Sequence, residues 1–201
     1  MGKFMKSAFV AFLAAAAALL MGASMANADI TASPAGAMTA TSLGTVDLIG
    51  EGGLIDITIS CDVTLTGSVN ASIADPNGAL GAVTGGSARN CDNGSATLLV
   101  SSANTWPLTL VGSPDLTNTL ARLEIRNVQF SVTVLGQTCL YTGNIPLTLD
   151  YTSIGGGRFS TGLITVNPHS LGLASGSFLC PTDGILDATF ALSPLQTLVL
   201  V

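Results

Sequence analysis

The sequence predicts an all-β protein, an antiparallel β-sandwich or jelly-roll-like domain tied by two disulfides and preceded by an N-terminal signal peptide. Three observations carry that expectation. Apolar and polar residues alternate with period two over long stretches. Four cysteines are spread through a chain in which only 9% of residues are charged. No stretch beyond the N-terminal segment shows the apolar repeat of about 3.6 residues that marks an amphipathic helix.

Residues 1–28 have the layout of a signal peptide. Lys3 and Lys6 give a positive start, AFVAFLAAAAALLMGA (8–23) is the apolar centre, and Ala26-Asn27-Ala28 is the small-x-small cleavage pattern. The apolar run is shorter than the roughly 20 residues of a spanning helix, so no transmembrane segment is expected after cleavage. The mature chain then runs from Asp29 to Val201 as one all-β domain. Two similar halves, about 45–115 and 120–201, are suggested by the repeat of a cysteine strand leading through a Gly-rich stretch to a second cysteine.

The strand pattern begins clearly at Ile55. From there to Ile73 every odd position is apolar or Gly, and every even position is Asp, Thr, Ser or Asn. One face of such a segment is buried and the other wet, as in antiparallel sheets. Its length predicts a bend or bulge near Cys61 or Gly67, or a crossing between sheets. In ARLEIRNVQFSVTVL (121–135) the phase flips, from Leu123 and Ile125 to Val128, Phe130 and Val132. One extra residue swaps faces, so a bulge is expected near Arg126-Asn127. Ile145, Leu147, Leu149 and Tyr151 alternate again and lead into Gly155-Gly156-Gly157. Leu186, Ala188, Phe190 and Leu192 form a further strand before the closing LQTLVLV. Asp75-Pro76-Asn77-Gly78 and Asp92-Asn93-Gly94 are turn signals.

Cys61, Cys91, Cys139 and Cys180 all follow the signal segment, an even count that reads as two disulfides. Cys61–Cys91 and Cys139–Cys180 are the preferred pairs, because each closes a local loop. A metal site is not expected, for want of CxxC spacing and with a single histidine.

Both lysines lie in the signal segment, which leaves four arginines against twelve acids and a net charge of −8. This balance supplies no footprint for nucleic acid and gains nothing from an anionic membrane surface. A transmembrane barrel is disfavoured by the aromatics of the mature chain, since the one Trp, two Tyr and four Phe that follow the signal segment are too few for two girdles.

Few residues of the chain stand in a pattern that suggests catalysis. His169 sits in Asn167-Pro168-His169-Ser170, which reads as a surface turn, and no GxSxG motif occurs. Glu51 and Glu124 are the only glutamates, and Glu124 belongs to a solvated strand face between Arg122 and Arg126. The Asp/Asn/Gly turns lack the bidentate glutamate of a calcium loop. No catalytic residue, cofactor or metal is expected, and the chain is read as not an enzyme. Trp106, the single tryptophan, is either a core plug or an exposed platform, and with Tyr141 and Tyr151 it forms the candidate surface for an apolar ligand.

ASPAGAMTATS (32–42) followed by LIDITISCDVTLTGSV (54–69) resembles the secreted bacterial β proteins of the protein activator of alkane oxidation family. Those share a Pro-Ala-Gly start, a Cys strand ending in Thr-Gly, and a mid-chain Trp. The later Cys139-x-Tyr141-x-Gly143 is similar to a pattern in uncharacterised secreted actinobacterial β proteins. The resemblance implies a link to hydrophobic growth substrates and brings no catalytic residues with it.

Two functions follow as expectations. The first is a secreted or cell-surface structural or interaction module whose partners are itself or other surface components. In that reading the segments Asp29–Ile49 and LQTLVLV pair with a neighbour's sheet edge. The second is an extracellular binding module for an apolar small molecule, an alkane or lipid.

Overall fold

In the computed structural model, described over residues 30–52, 57–73, 78–111, 120–155 and 158–200, twelve strands belong to one antiparallel sheet. They are β1 (Ile30–Ser33), β2 (Gly36–Ser42), β3 (Val46–Glu51), β4 (Ile57–Val69), β5 (Ser72–Ile73) and β6 (Ala79–Arg89). The second six are β7 (Ser95–Leu98), β8 (Trp106–Leu110), β9 (Leu120–Val134), β10 (Gln137–Gly155), β11 (Arg158–Ser175) and β12 (Asp183–Leu200). The signal segment, Asp56, Asp75-Pro76-Asn77 and Gly156-Gly157 lie outside the described residues.

The sheet closes on itself, which corrects the expected sandwich or jelly roll. Following the ladders, β2 pairs β4, then β6, β8, β9, β10, β11 and β12 follow, and β12 returns to β2. That is an up-and-down barrel of eight staves, with each stave bonded to its neighbours in the sequence. Two staves are interrupted. β2 and β3 run consecutively along both β4 and β12, and β7 and β8 run consecutively along β9. At the first interruption the Ser42 hydroxyl accepts the Val63 backbone N–H at 3.1 Å, in place of the missing ladder bond.

The expected irregularities are present where phase demanded them. The β4–β6 ladder shifts between Thr66 and Gly67. In β9, Arg126 and Asn127 oppose Asn144 alone, and Asn127 has a φ of 58°. Its backbone N–H is taken by the Asn144 side-chain oxygen at 3.1 Å. The bulge turns Leu123, Ile125, Val128, Phe130 and Val132 all inward. Asn167-Pro168-His169-Ser170 is not a turn. It lies within β11, whose ladder to β12 skips between Val166 and His169, so a proline is accommodated at a strand irregularity.

Both disulfides have the expected pairing, Cys61–Cys91 and Cys139–Cys180. The first ties the β6–β7 connection to β4, where Asp92 also takes the Ser60 N–H and donates its own N–H to the Ser60 carbonyl. The second joins β10 to the residues before β12.

The segments expected to offer free edges are used within the chain. Ile30 to Ser33 pair with Leu200 to Thr197, and β2 and β3 are bonded on both sides. Closure is the strongest available protection of a sheet edge.

Candidate functional site

The inner face of the barrel is the candidate site. Along β4, Ile57, Ile59, Cys61 and Val63 are buried, while Thr58 and Asp62 between them are exposed. β9, β10 and β12 supply matching rows, with Phe130, Ile145, Leu147, Ala188 and Phe190 among them. A barrel with hydrocarbon inside and Thr, Ser and Asp outside is the reverse of a membrane-spanning one, whose lipid-facing exterior is the apolar side.

Eight staves leave an interior that side chains either fill or open into a small ligand chamber. Here they leave a chamber of about 80 Å³ with a wholly apolar wall. Trp106, Phe130 and Phe190 provide its aromatic surface, and Met38, Leu65 and Leu98 its most adjustable part. Small residues make the room, since Ala40, Ala88, Ala96 and Gly67 line it where longer side chains would fill it. Among the described residues no ionisable side chain lines it. A second cavity, of about 20 Å³, shares Met38, Leu108 and Ile164 with the first and is lined also by Thr161 and Gln196.

Trp106 is a wall of the chamber and not an exposed platform, at 3% exposure. Its indole N–H has no partner among the described residues. Tyr141 is buried outside the main chamber. Its ring stacks on Phe130 with centroids 5.6 Å apart, and its hydroxyl donates to the Pro181 carbonyl at 3.2 Å. Burial, then the nearby Asp183 charge, push its pKa above the usual 10.0. Tyr151 lies in β10 opposite Thr161, and its side chain is outside the described residues. Trp106 and Tyr141 therefore do not share one wall of the chamber. What sequence reasoning missed is the pair Thr161 and Gln196, polar residues buried at inward positions. Gln196 lies within the LQTLVLV run, and inward phase carried on from Phe190 and Leu192 would have marked it.

His169 pairs with Leu186 in the β11–β12 ladder. Glu124 pairs with Arg126 on the outer face. Among the described residues no three of His, Cys, Asp and Glu are grouped as a metal site would require.

The fold and its interior define a small up-and-down β-barrel enclosing an apolar chamber. The chain belongs to the alkane oxidation protein activator PraA/PraB-like family, which it matches over residues 4–198. No curated protein and no solved structure matches it.

Proposed function

We propose that this protein is an extracellular, non-catalytic binding module that holds a small apolar molecule or alkyl segment inside its barrel. The observation that carries the reading is the chamber inside the barrel with an apolar wall. The family's description, which refers to alkane oxidation, is consistent with a hydrocarbon ligand. The signal-like N-terminus and two disulfides support an extracellular setting.

The chamber is smaller than an engineered apolar cavity of about 150 Å³ that takes up benzene. A fitting ligand is a short chain, or a longer one that Met38 and Leu65 move aside to admit. Access has a candidate position. β7 is hydrogen-bonded to β9 and lacks a ladder to β6, and the Leu98 and Leu65 side chains cover Gly86 there. Rotating side chains costs less than breaking backbone ladders.

Trp106 reports on the chamber directly. Burying six carbons at about 0.8 kcal/mol each gives a dissociation constant on the order of 0.1 to 1 mM for hexane. Saturable change in the tryptophan emission of the oxidised protein on hexane titration is the expected result, and a linear or absent response would overturn the proposal.

A self-associating surface module is the second reading. Leu135, at the β9–β10 turn, and Phe178, two residues from the Cys139–Cys180 bridge, are 81% and 83% exposed. Light scattering after size exclusion tests it, and a monomer at high concentration would remove it.

A further inference from the structure

The second cavity carries an inference about ligand chemistry, and it rests on the binding function proposed above. Gln196 is 4% exposed, projecting inward from β12 among Val69, Leu80, Leu149 and Leu198. Its side-chain Nε2 donates to the Pro194 carbonyl at 3.1 Å, which fixes the orientation of the amide. Its Oε1 is left buried with no partner among the described residues. A buried acceptor without a donor costs free energy, and native interiors rarely leave one so.

The other polar group lining this cavity is the Thr161 hydroxyl, itself 2% exposed. Its hydrogen is directed to the Asp150 carbonyl across the β10–β11 ladder, with the Leu163 carbonyl as a longer alternative. With its one hydrogen engaged, Thr161 offers lone pairs to the cavity and no donor. Of the polar atoms these two side chains bring to the cavity, Gln196 Oε1 is the one left without any partner, and among the described residues no cationic side chain lines it. Such a site suits a group that donates a hydrogen bond. A carbonyl would leave Gln196 Oε1 without a donor, and a carboxylate would add an uncompensated buried charge.

The small cavity adjoins the main chamber at Met38, Leu108 and Ile164, so the donor group and an alkyl tail can belong to one molecule. We propose that the barrel takes a primary alcohol, with its hydroxyl donating to Gln196 Oε1 and its alkyl chain passing Met38 into the apolar chamber. Met38 is unbranched, and its movement sets the width of the neck. A water molecule fits the same small cavity, whose volume exceeds the roughly 10–15 Å³ that one needs. The alcohol hydroxyl then takes over the hydrogen bond that the water would make.

The test compares hexane, n-hexanol and n-fluorohexane by Trp106 fluorescence on the oxidised protein and on Gln196→Leu. The fluoride nearly matches the alcohol in size and cannot donate. In the unaltered protein hexanol is expected to bind roughly tenfold tighter than fluorohexane, the usual worth of satisfying a buried acceptor. In Gln196→Leu hexanol weakens by about the same factor, while hexane stays within about twofold. Equal binding of hexanol and fluorohexane would overturn this inference and leave the apolar-ligand function standing, with water as the small cavity's occupant. The comparison needs no variant, so a misfolded Gln196→Leu would not obscure it. No saturable binding of any of the three would overturn the underlying function as well.

Discussion

Ala40→Leu places three extra carbons where a chamber or a filled core would respond with opposite signs. Ala40 is on β2, between Leu65 of β4 and Leu192 of β12, and its side chain is part of the chamber wall. A cavity of this size costs about 2 kcal/mol at roughly 24 cal/mol per Å³, and burying three carbons at about 0.8 kcal/mol each gives a similar figure. If the space is real, the variant recovers up to about 2 kcal/mol. For a chain of this length that raises Tm by about 4–8 °C. If the interior were already filled, overpacking would cost about 1–3 kcal/mol instead. The assay is thermal and urea unfolding of the oxidised protein, followed by hexane titration. We expect a higher Tm, an unchanged urea m value and loss of the tryptophan response to hexane. A Tm lowered by several degrees with the hexane response intact would show that the chamber does not exist as described.

Three further outcomes follow from other parts of the barrel. Tyr141→Phe leaves the Pro181 carbonyl without its donor and should cost about 1 kcal/mol at neutral pH, read from urea unfolding. Because the Tyr141 pKa is raised in the folded state, its contribution is complete below pH 10 and declines as pH rises above it. The wild-type midpoint should therefore fall with increasing pH in that range, and Tyr141→Phe should fall less steeply. Replacing Cys139 and Cys180 together by Ser opens a loop of 41 residues and, on the chain-entropy argument, should remove roughly 4 kcal/mol, measured against the intact protein in urea. Asn127→Val puts a β-branched residue at a φ of 58° and should cost about 1–3 kcal/mol, whereas Asn127→Gly should be close to neutral. Equal costs for the two would mean that the bulge does not hold that backbone conformation.

Much of the wall could be read from the chain, and its closure could not. The odd-position row from Ile57 to Val63 and the phase flip at Arg126-Asn127 are local facts of alternation, so the strand and its bulge were legible. The disulfide pairing was legible because each bridge closes a local loop. A sandwich and a barrel, however, make the same demand on sequence, one apolar face per strand. They differ in whether β12 finds β2 and β3, and no residue pattern encodes that choice locally. β11 was missed because its phase slips between Thr161 and Leu163 and again between Val166 and His169, leaving only short alternating pieces around Pro168. The chamber was illegible for a related reason. Ala40, Ala88 and Ala96 make a void only when the staves bring them around one axis. Trp106 stood open between core plug and exposed platform, because its neighbours across the interior come from strands far away in the chain.

The seam between β12 and the β2–β3 stave has a consequence for the order of folding. Phe190 pairs with Ser42 and Asp183 with Glu51, so residues about 130 to 150 positions apart must meet before the cylinder shuts, a separation that slows folding. Every other junction of the barrel joins staves that are neighbours in the sequence and can assemble as the polypeptide emerges. Until the eighteen-residue β12 is available, the nascent protein is a curled ribbon with its greasy face bare. Synthesis thus leaves this molecule most vulnerable to aggregation just before β12 emerges, and β12 acts as the latch that ends the exposure.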